Sequence, residues 1–194
     1  MAVREILEIP HPILRQRAKR VRRIDKRILG LAYDMVETMR EAGGVGLAAN
    51  QVGELRRLIV LQIPDEEEAR IYFNPEIIKR EGTREVEEGC LSYPGYRAII
   101  ERSVWIRFGA LDHTEKEIKV KAEGLLAQAM EHEVDHLNGI LYLDHLSDHT
   151  KLYQVDENGE PPELAEDDSE GETLEDEYEL APDTDDAPAS MNVT

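Results

Sequence analysis

His132-Glu133-Val134-Asp135-His136 sets two imidazoles four residues apart, with a carboxylate directly after the first. On a helix this spacing puts the histidines about 40° apart around the axis and one turn along it, so both rings can reach one ion. Glu133 falls about 100° round from His132, which makes it a poor ligand but a good neighbour for moving a proton. Zinc or iron accepts such nitrogens in a tetrahedral set, and with only three protein ligands one position stays open to water. The plain alternative is a polar patch on an exposed helix. Leu125, Leu126, Ala129, Met130, Val134 and Leu137 argue against it, because they make the helix apolar on most sides and therefore buried. Burying two histidines and two acids without partners is costly, and a metal removes much of that cost.

Two imidazoles are not a site, and the third ligand discriminates between readings. One metalloprotease class continues H-E-x-x-H-x-x-G-x-x-H. Gly139 matches here, but the final position is Tyr142. Another class recruits a downstream Glu. Glu157 and Glu160 lie in an acidic stretch with no apolar frame to hold them. That leaves Cys90, the single cysteine, in Glu88-Gly89-Cys90-Leu91-Ser92. A lone cysteine commonly serves as a small buried hydrophobe. Cys90 follows Gly89, where backbone can approach a ligand closely, and Pro94-Gly95 closes the segment. A thiolate with two imidazoles is an open, catalytic set and not a closed structural one.

The elements that must position these groups can be read from periodicity. Asp25 is an N-cap for a helix in which Ile28, Leu31, Ala32, Met35, Val36 and Met39 recur at helical spacing up to Ala42, and Gly43-Gly44 stops it. Residues 43–53 read as a tight loop or bent strand. Strands are expected over 57–63, at 71–73 with closure by Asn74-Pro75, from Ile77, over 84–92 with a turn at Gly89, and at 97–100, 104–108 and 118–120. Gly124 opens a second helix that runs through the histidine pair and stops at Gly139. The fold class is α+β, with short, mostly antiparallel strands packed around a buried C-terminal helix. Apolar density collapses after Leu152, so the domain is expected over 1–150. Residues 151–194 form an acidic tail, disordered or loosely helical from 153.

Charge supports the same division. Residues 151–194 hold one basic and sixteen acidic side chains, against twenty-two basic and twenty-six acidic in residues 1–150. A tail of that sign repels bare nucleic acid and anionic membrane, and no direct DNA binding is expected. No window reaches the roughly eighteen apolar residues of a membrane span. The start, MAVREILEIPHP, has no apolar signal core, and a lone cysteine permits no internal disulfide, so a reducing cytoplasm is expected.

Three stretches together resemble peptide deformylase: Gly44-Val45-Gly46-Leu47-Ala48-Ala49-Asn50-Gln51, Glu88-Gly89-Cys90-Leu91-Ser92 and His132-Glu133-Val134-Asp135-His136-Leu137. They occur in the family's order and with similar spacing, and the likeness spans about residues 3–148. The resemblance implies removal of the formyl group from N-terminal formyl-methionine of newly made proteins. It implies that Cys90, His132 and His136 hold one divalent ion, typically iron(II), which zinc, nickel or cobalt can replace. Glu133 would be the general acid and base, and Gln51 with the Leu91 N–H would hold the formyl oxygen. Val45, Gly46 and Gly89 would pair with the substrate backbone. Val86, Leu125 and Ala129 would line the methionine pocket, and Arg97 would meet the substrate's far end. Nascent formyl-methionyl chains are the implied partners, with transient ribosome association. Glu88 is a candidate partner for the second nitrogen of a ligand histidine, and Asp135 and Arg102 are candidates to pair behind the site. Glu131 and Gln128 depart from the family pattern, which has Gln and an apolar residue there. Two readings compete: a zinc endopeptidase, which needs an ordered third His or Glu, and a metal-free binding module, in which Gln51, Cys90 and Glu133 would be free to drift.

Overall fold

The Asp25 carboxylate accepts a hydrogen bond from the Ile28 N–H at 3.0 Å and starts helix α1, Lys26–Glu41. The computed structural model describes residues 2–156 and 161. After α1 come strands β1 (Gly46–Ala48), β2 (Leu58–Leu61), β3 (Arg70–Glu81), β4 (Arg84–Cys90), β5 (Tyr93–Arg102), β6 (Trp105–Leu111) and β7 (Glu117–Glu123). Helix α2 spans Gly124–Asn138 and a last strand, β8, spans Leu152–Gln154. The α+β class is as expected, and every strand pair is antiparallel.

Two sheets form. One has the order β1-β2-β3-β6-β7 and the other β4-β5-β8. The apolar stripe of α1 buries Leu31, Met35, Val36 and Met39 against Leu47, Leu58, Val60 and Phe73. Helix α2 packs Ala127, Met130, Val134 and Leu137 on the other side, with Ile59, Leu61, Ile106 and Phe108. The first sheet is thus covered on both faces, which explains why all four residues of β2 are buried. Every residue of α2 from Ala129 to Leu137 is buried, including five polar ones.

Three boundaries differ from the sequence expectation. Asn74-Pro75 does not close a strand, because β3 runs through it with a register shift between Phe73 and Glu76. Asn74, at φ 51, is held by its side-chain amide, whose oxygen accepts from the Val21 N–H and whose nitrogen donates to the Val21 carbonyl, and proline is tolerated at such an irregularity. The turn expected at Gly89 comes later, since β4 continues to Cys90 and shifts register between the two. The ordered body also passes residue 150. β8 pairs with β5 through Tyr96, Arg97 and Ala98, opposite Gln154, Tyr153 and Leu152. Three residues of edge strand carry too little apolar signal to be read in advance. The rest of the tail reading lies outside the described residues. No helix of the described residues is long and apolar enough to cross a membrane.

Candidate metal centre

Successive turns of α2 deliver the two imidazoles, as the spacing requires. His136 Nε2 lies 3.1 Å from His132 Nε2 and 3.2 Å from Cys90 Sγ. All three ligand atoms fall within 4.8 Å of one another. Two nitrogens bound tetrahedrally at 2.0–2.1 Å stand roughly 3.3 Å apart, so the set fits one divalent ion. The thiol arrives on the register shift at the end of β4, where a local kink re-aims a side chain.

The groups behind the ligands close a buried network. His132 Nδ1 meets Glu88 Oε1 at 2.5 Å, which leaves Nε2 facing the site. Arg102 donates to both oxygens of Glu88, at 2.7 and 3.0 Å, and to Asp135 at 2.6 Å. Asp135 also meets His145 at 2.8 Å. Burial alone would raise the Glu88 pKa, but the His132 charge and the Arg102 guanidinium hold it down at about 2. Asp135 is likewise lowered, its burial outweighed by His145 and Arg102. A carboxyl depressed in the fold stabilises it above the unfolded pKa of about 4.3 and loses that contribution as pH falls toward 2. Denaturant unfolding of wild type and Glu88→Gln is therefore expected to differ most near neutral pH and to converge as pH falls to about 2. A gap that persists at low pH would contradict this.

Glu133 sits beside the ligands at 3% exposure, and its Oε2 has no hydrogen-bond partner among the described residues. Desolvation pushes its carboxyl up to about 7, against the pull of the His132 charge. Gly46 makes room for it, since a Cβ there would collide with Glu133 Oε1 and lie 2.9 Å from Leu61 Cδ2. Gly46→Ala is expected to displace the carboxylate and lower turnover by at least ~100-fold, the cost of misplacing a reacting group by about 1 Å. Unchanged kcat in a folded variant would refute that. Gln51 is buried in the turn after β1. Its Oε1 accepts from the Ala48 N–H at 2.8 Å, and its Nε2 reaches Ser92 Oγ at 3.1 Å and Cys90 Sγ at 3.7 Å.

A cavity of about 610 Å³ opens over these groups. Val45, Gly46, Gln51, Gly89, Cys90 and Leu91 line it from the sheets. Arg97 stands at its wall, and Leu125, Ala129, His132 and Glu133 line it from α2. Val86 is the exception among the expected residues. It packs with Ile100 and Tyr142 in the core and is not among the lining side chains, although Glu88, on the same face of β4, is. Gln128 does line the cavity, and its Nε2 donates to the Glu87 carbonyl at 2.8 Å. The Glu87 carboxylate pairs with Arg97 and accepts from the Tyr153 hydroxyl. Glu131 is bonded to Arg80 at 2.8 Å and to the Ser103 N–H and hydroxyl.

Three positioning residues escaped the sequence reading. Asn50 Nδ2 donates to the His136 carbonyl at 2.5 Å, and Arg57 donates to Asn138 and to the Leu137 and Pro75 carbonyls. Asn50 ties the C-terminal turn of α2 to the turn after β1, and Arg57 ties it to the start of β2 and to β3. Ser92 orients the Gln51 amide. Only adjacency to the motifs hinted at Asn50 and Ser92, and nothing hinted at Arg57.

A family model described as polypeptide deformylase matches residues 3–152. Among curated relatives, a peptide deformylase of Dehalococcoides mccartyi is 48% identical over 163 residues, covering 84% of this chain and 98% of that protein. One of Thermomicrobium roseum is 44% identical over 173 residues, covering 85% and 98%. A solved peptide deformylase from Legionella pneumophila superposes with a TM-score of 0.73 at 44% identity, over 75% of this chain and 87% of that one. Another from Ehrlichia chaffeensis, in complex with actinonin, gives 0.74 at 37% identity, over 78% and 92%.

Proposed function

This chain belongs to the polypeptide deformylase family, and from that premise we propose a role for each group around its metal centre. The protein is a metal-dependent hydrolase that removes the N-formyl group from nascent peptides and releases formate. Cys90, His132 and His136 hold the ion in our reading. The observation that carries it is the meeting of their three donor atoms within 4.8 Å beside a buried carboxylate. Iron(II) is our choice of ion, with zinc, nickel or cobalt as working substitutes, since a sulfur and two imidazoles suit all of these. When bound, a divalent ion polarises the formyl carbonyl and makes water nucleophilic near neutral pH.

Glu133 takes a proton from the attacking water and delivers it to the leaving amine nitrogen. A carboxyl pushed to about 7 is suited to both transfers. The Gln51 amide and the Leu91 N–H donate to the formyl oxygen as negative charge grows on it, and one such donor contributes typically about 3–4 kcal/mol. Val45, Gly46 and Gly89 receive the substrate backbone like an added strand. Leu125 and Ala129, with the His132 ring, bound the methionine side chain, and Val86 backs that wall from the core. Arg97 meets the peptide farther along. Residues 1–150, extended through β8, form the catalytic domain, and the acidic residues beyond are an appendage. Nascent chains as substrates make transient ribosome association and a cytoplasmic setting part of the same reading.

Anaerobic purification followed by metal analysis and formate-release assays tests it. About one ion per chain is expected. Acetyl-methionyl peptide should react at least ~100-fold more slowly than the formyl peptide, because a methyl group must fit where hydrogen does. A chain ended after Pro161 should turn over equally well. Equal rates on both peptides, or a metal-free active preparation, would refute the reading.

A further inference from the structure

Residues 15–27 carry eight Lys and Arg side chains and one Asp, in a chain whose net charge is −19. Most of them surround a groove of about 860 Å³ at the N-terminal half of α1, lined by seven cationic side chains and two acidic ones. The catalytic cavity lies past the other end of α1, and sixteen residues of helix span about 24 Å. A second groove carries four arginines and one Glu, and the two share Arg20. The cations therefore form one continuous band.

Their backbone is fixed. Ala18 and Val21 are buried, and the strip between them is held by Ala18 N–H to the Leu137 carbonyl, 2.9 Å, and Lys19 N–H to the Leu55 carbonyl, 3.1 Å. The Lys19 carbonyl accepts from the Arg57 N–H at 2.8 Å. Lys19, Arg22, Arg23, Arg27 and Arg56 project outward from this frame and are exposed. Arg20 pairs with Glu76, and Arg4 with Asp34 and Glu54, but those five enter no ion pair among the described residues. A fixed row of uncompensated cations is a surface for a polyanion.

We propose that this band docks the phosphate backbone of RNA. Six of the seven cations lining the larger groove are Arg, whose planar fork matches phosphate oxygens in pairs. A lipid surface fits less well, because the face is concave and none of the exposed large hydrophobic side chains lines it. Net charge does not decide docking: at a Debye length of about 8 Å the nearby charges dominate, and seven cations against two acids line the larger groove. The choice of RNA rests on the reading of nascent chains as substrates, which are made on RNA. The surface itself does not depend on the reaction.

Fluorescence anisotropy of the full chain with a fluorescein-labelled RNA hairpin tests this, with formyl-peptide turnover measured alongside. Five phosphate contacts give a log–log salt slope of about −4 to −5, a fall of several hundred-fold in affinity between about 50 and 200 mM salt. Replacing Lys19, Arg22, Arg23, Arg27 and Arg56 together by Gln should abolish most of that slope and leave turnover intact. Lys116, Lys119 and Lys121 replaced by Gln should bind as wild type does. If the fivefold variant fails to fold, Arg22→Gln and Arg23→Gln singly should each reduce the slope by about one. No RNA binding at low salt, undiminished binding by these variants, or capture of phosphatidylglycerol vesicles in place of RNA would overturn the proposal. With turnover intact, such a failure leaves the deformylase reading standing.

Discussion

Glu133→Gln is expected to retain the metal and lose about 10²–10⁴-fold in turnover of a formyl-methionyl peptide, the usual contribution of a positioned acid and base. The amide keeps the shape of the side chain and its place above Gly46, so the fold should be undisturbed. What it loses is the ability to take and return a proton. The wild-type carboxyl lies 100° round the helix from His132 and is not one of the three grouped donors, which is why metal content should be preserved. Metal analysis and single-turnover formate release on the same preparation check both halves. A variant that loses its ion would make Glu133 a ligand, and one that keeps full turnover would remove it from the chemistry.

Cys90→Ala should act at the other point of the centre. Removing the sulfur leaves two imidazoles, a set that binds a divalent ion far more weakly than three donors do. Metal content near zero and turnover below detection are expected after dialysis, with native far-UV circular dichroism. The protein should stay folded because Cys90 is a half-buried residue at the end of β4, outside the two large apolar clusters. Excess zinc restoring full turnover would show that the sulfur is dispensable. The wild-type thiol has its own vulnerability, since a ferrous preparation held in air should lose activity as the sulfur is oxidised.

Much of this centre was legible in the sequence. The helix carrying His132 and His136 follows from its apolar surroundings; Glu88 meets His132 and Arg102 meets Asp135 as expected, while the bonds of Arg102 to Glu88 are an addition of the fold. The meeting of Cys90 with His136 spans 46 residues, and no periodicity reports such a distance. Only elimination and the ordered motifs pointed to it. Strand β3 was misread because proline usually ends a strand, whereas Asn74 here is anchored by Val21, a partner 53 residues away. The same holds for Asn50 and Arg57, whose value lies in the helix-end carbonyls they reach across the fold. The resemblance places Val86 in the pocket, whereas in the fold it packs beneath, with Ile100 and Tyr142.

Glu87 gives the cavity mouth a property of its own. Its carbonyl holds Gln128 of α2, and its carboxylate holds Arg97 of β5 and Tyr153 of β8, so one residue clasps three separate elements at the rim. Loss of any one of these contacts leaves the other two, so the rim is tied redundantly and no single substitution on α2, β5 or β8 frees Glu87 altogether.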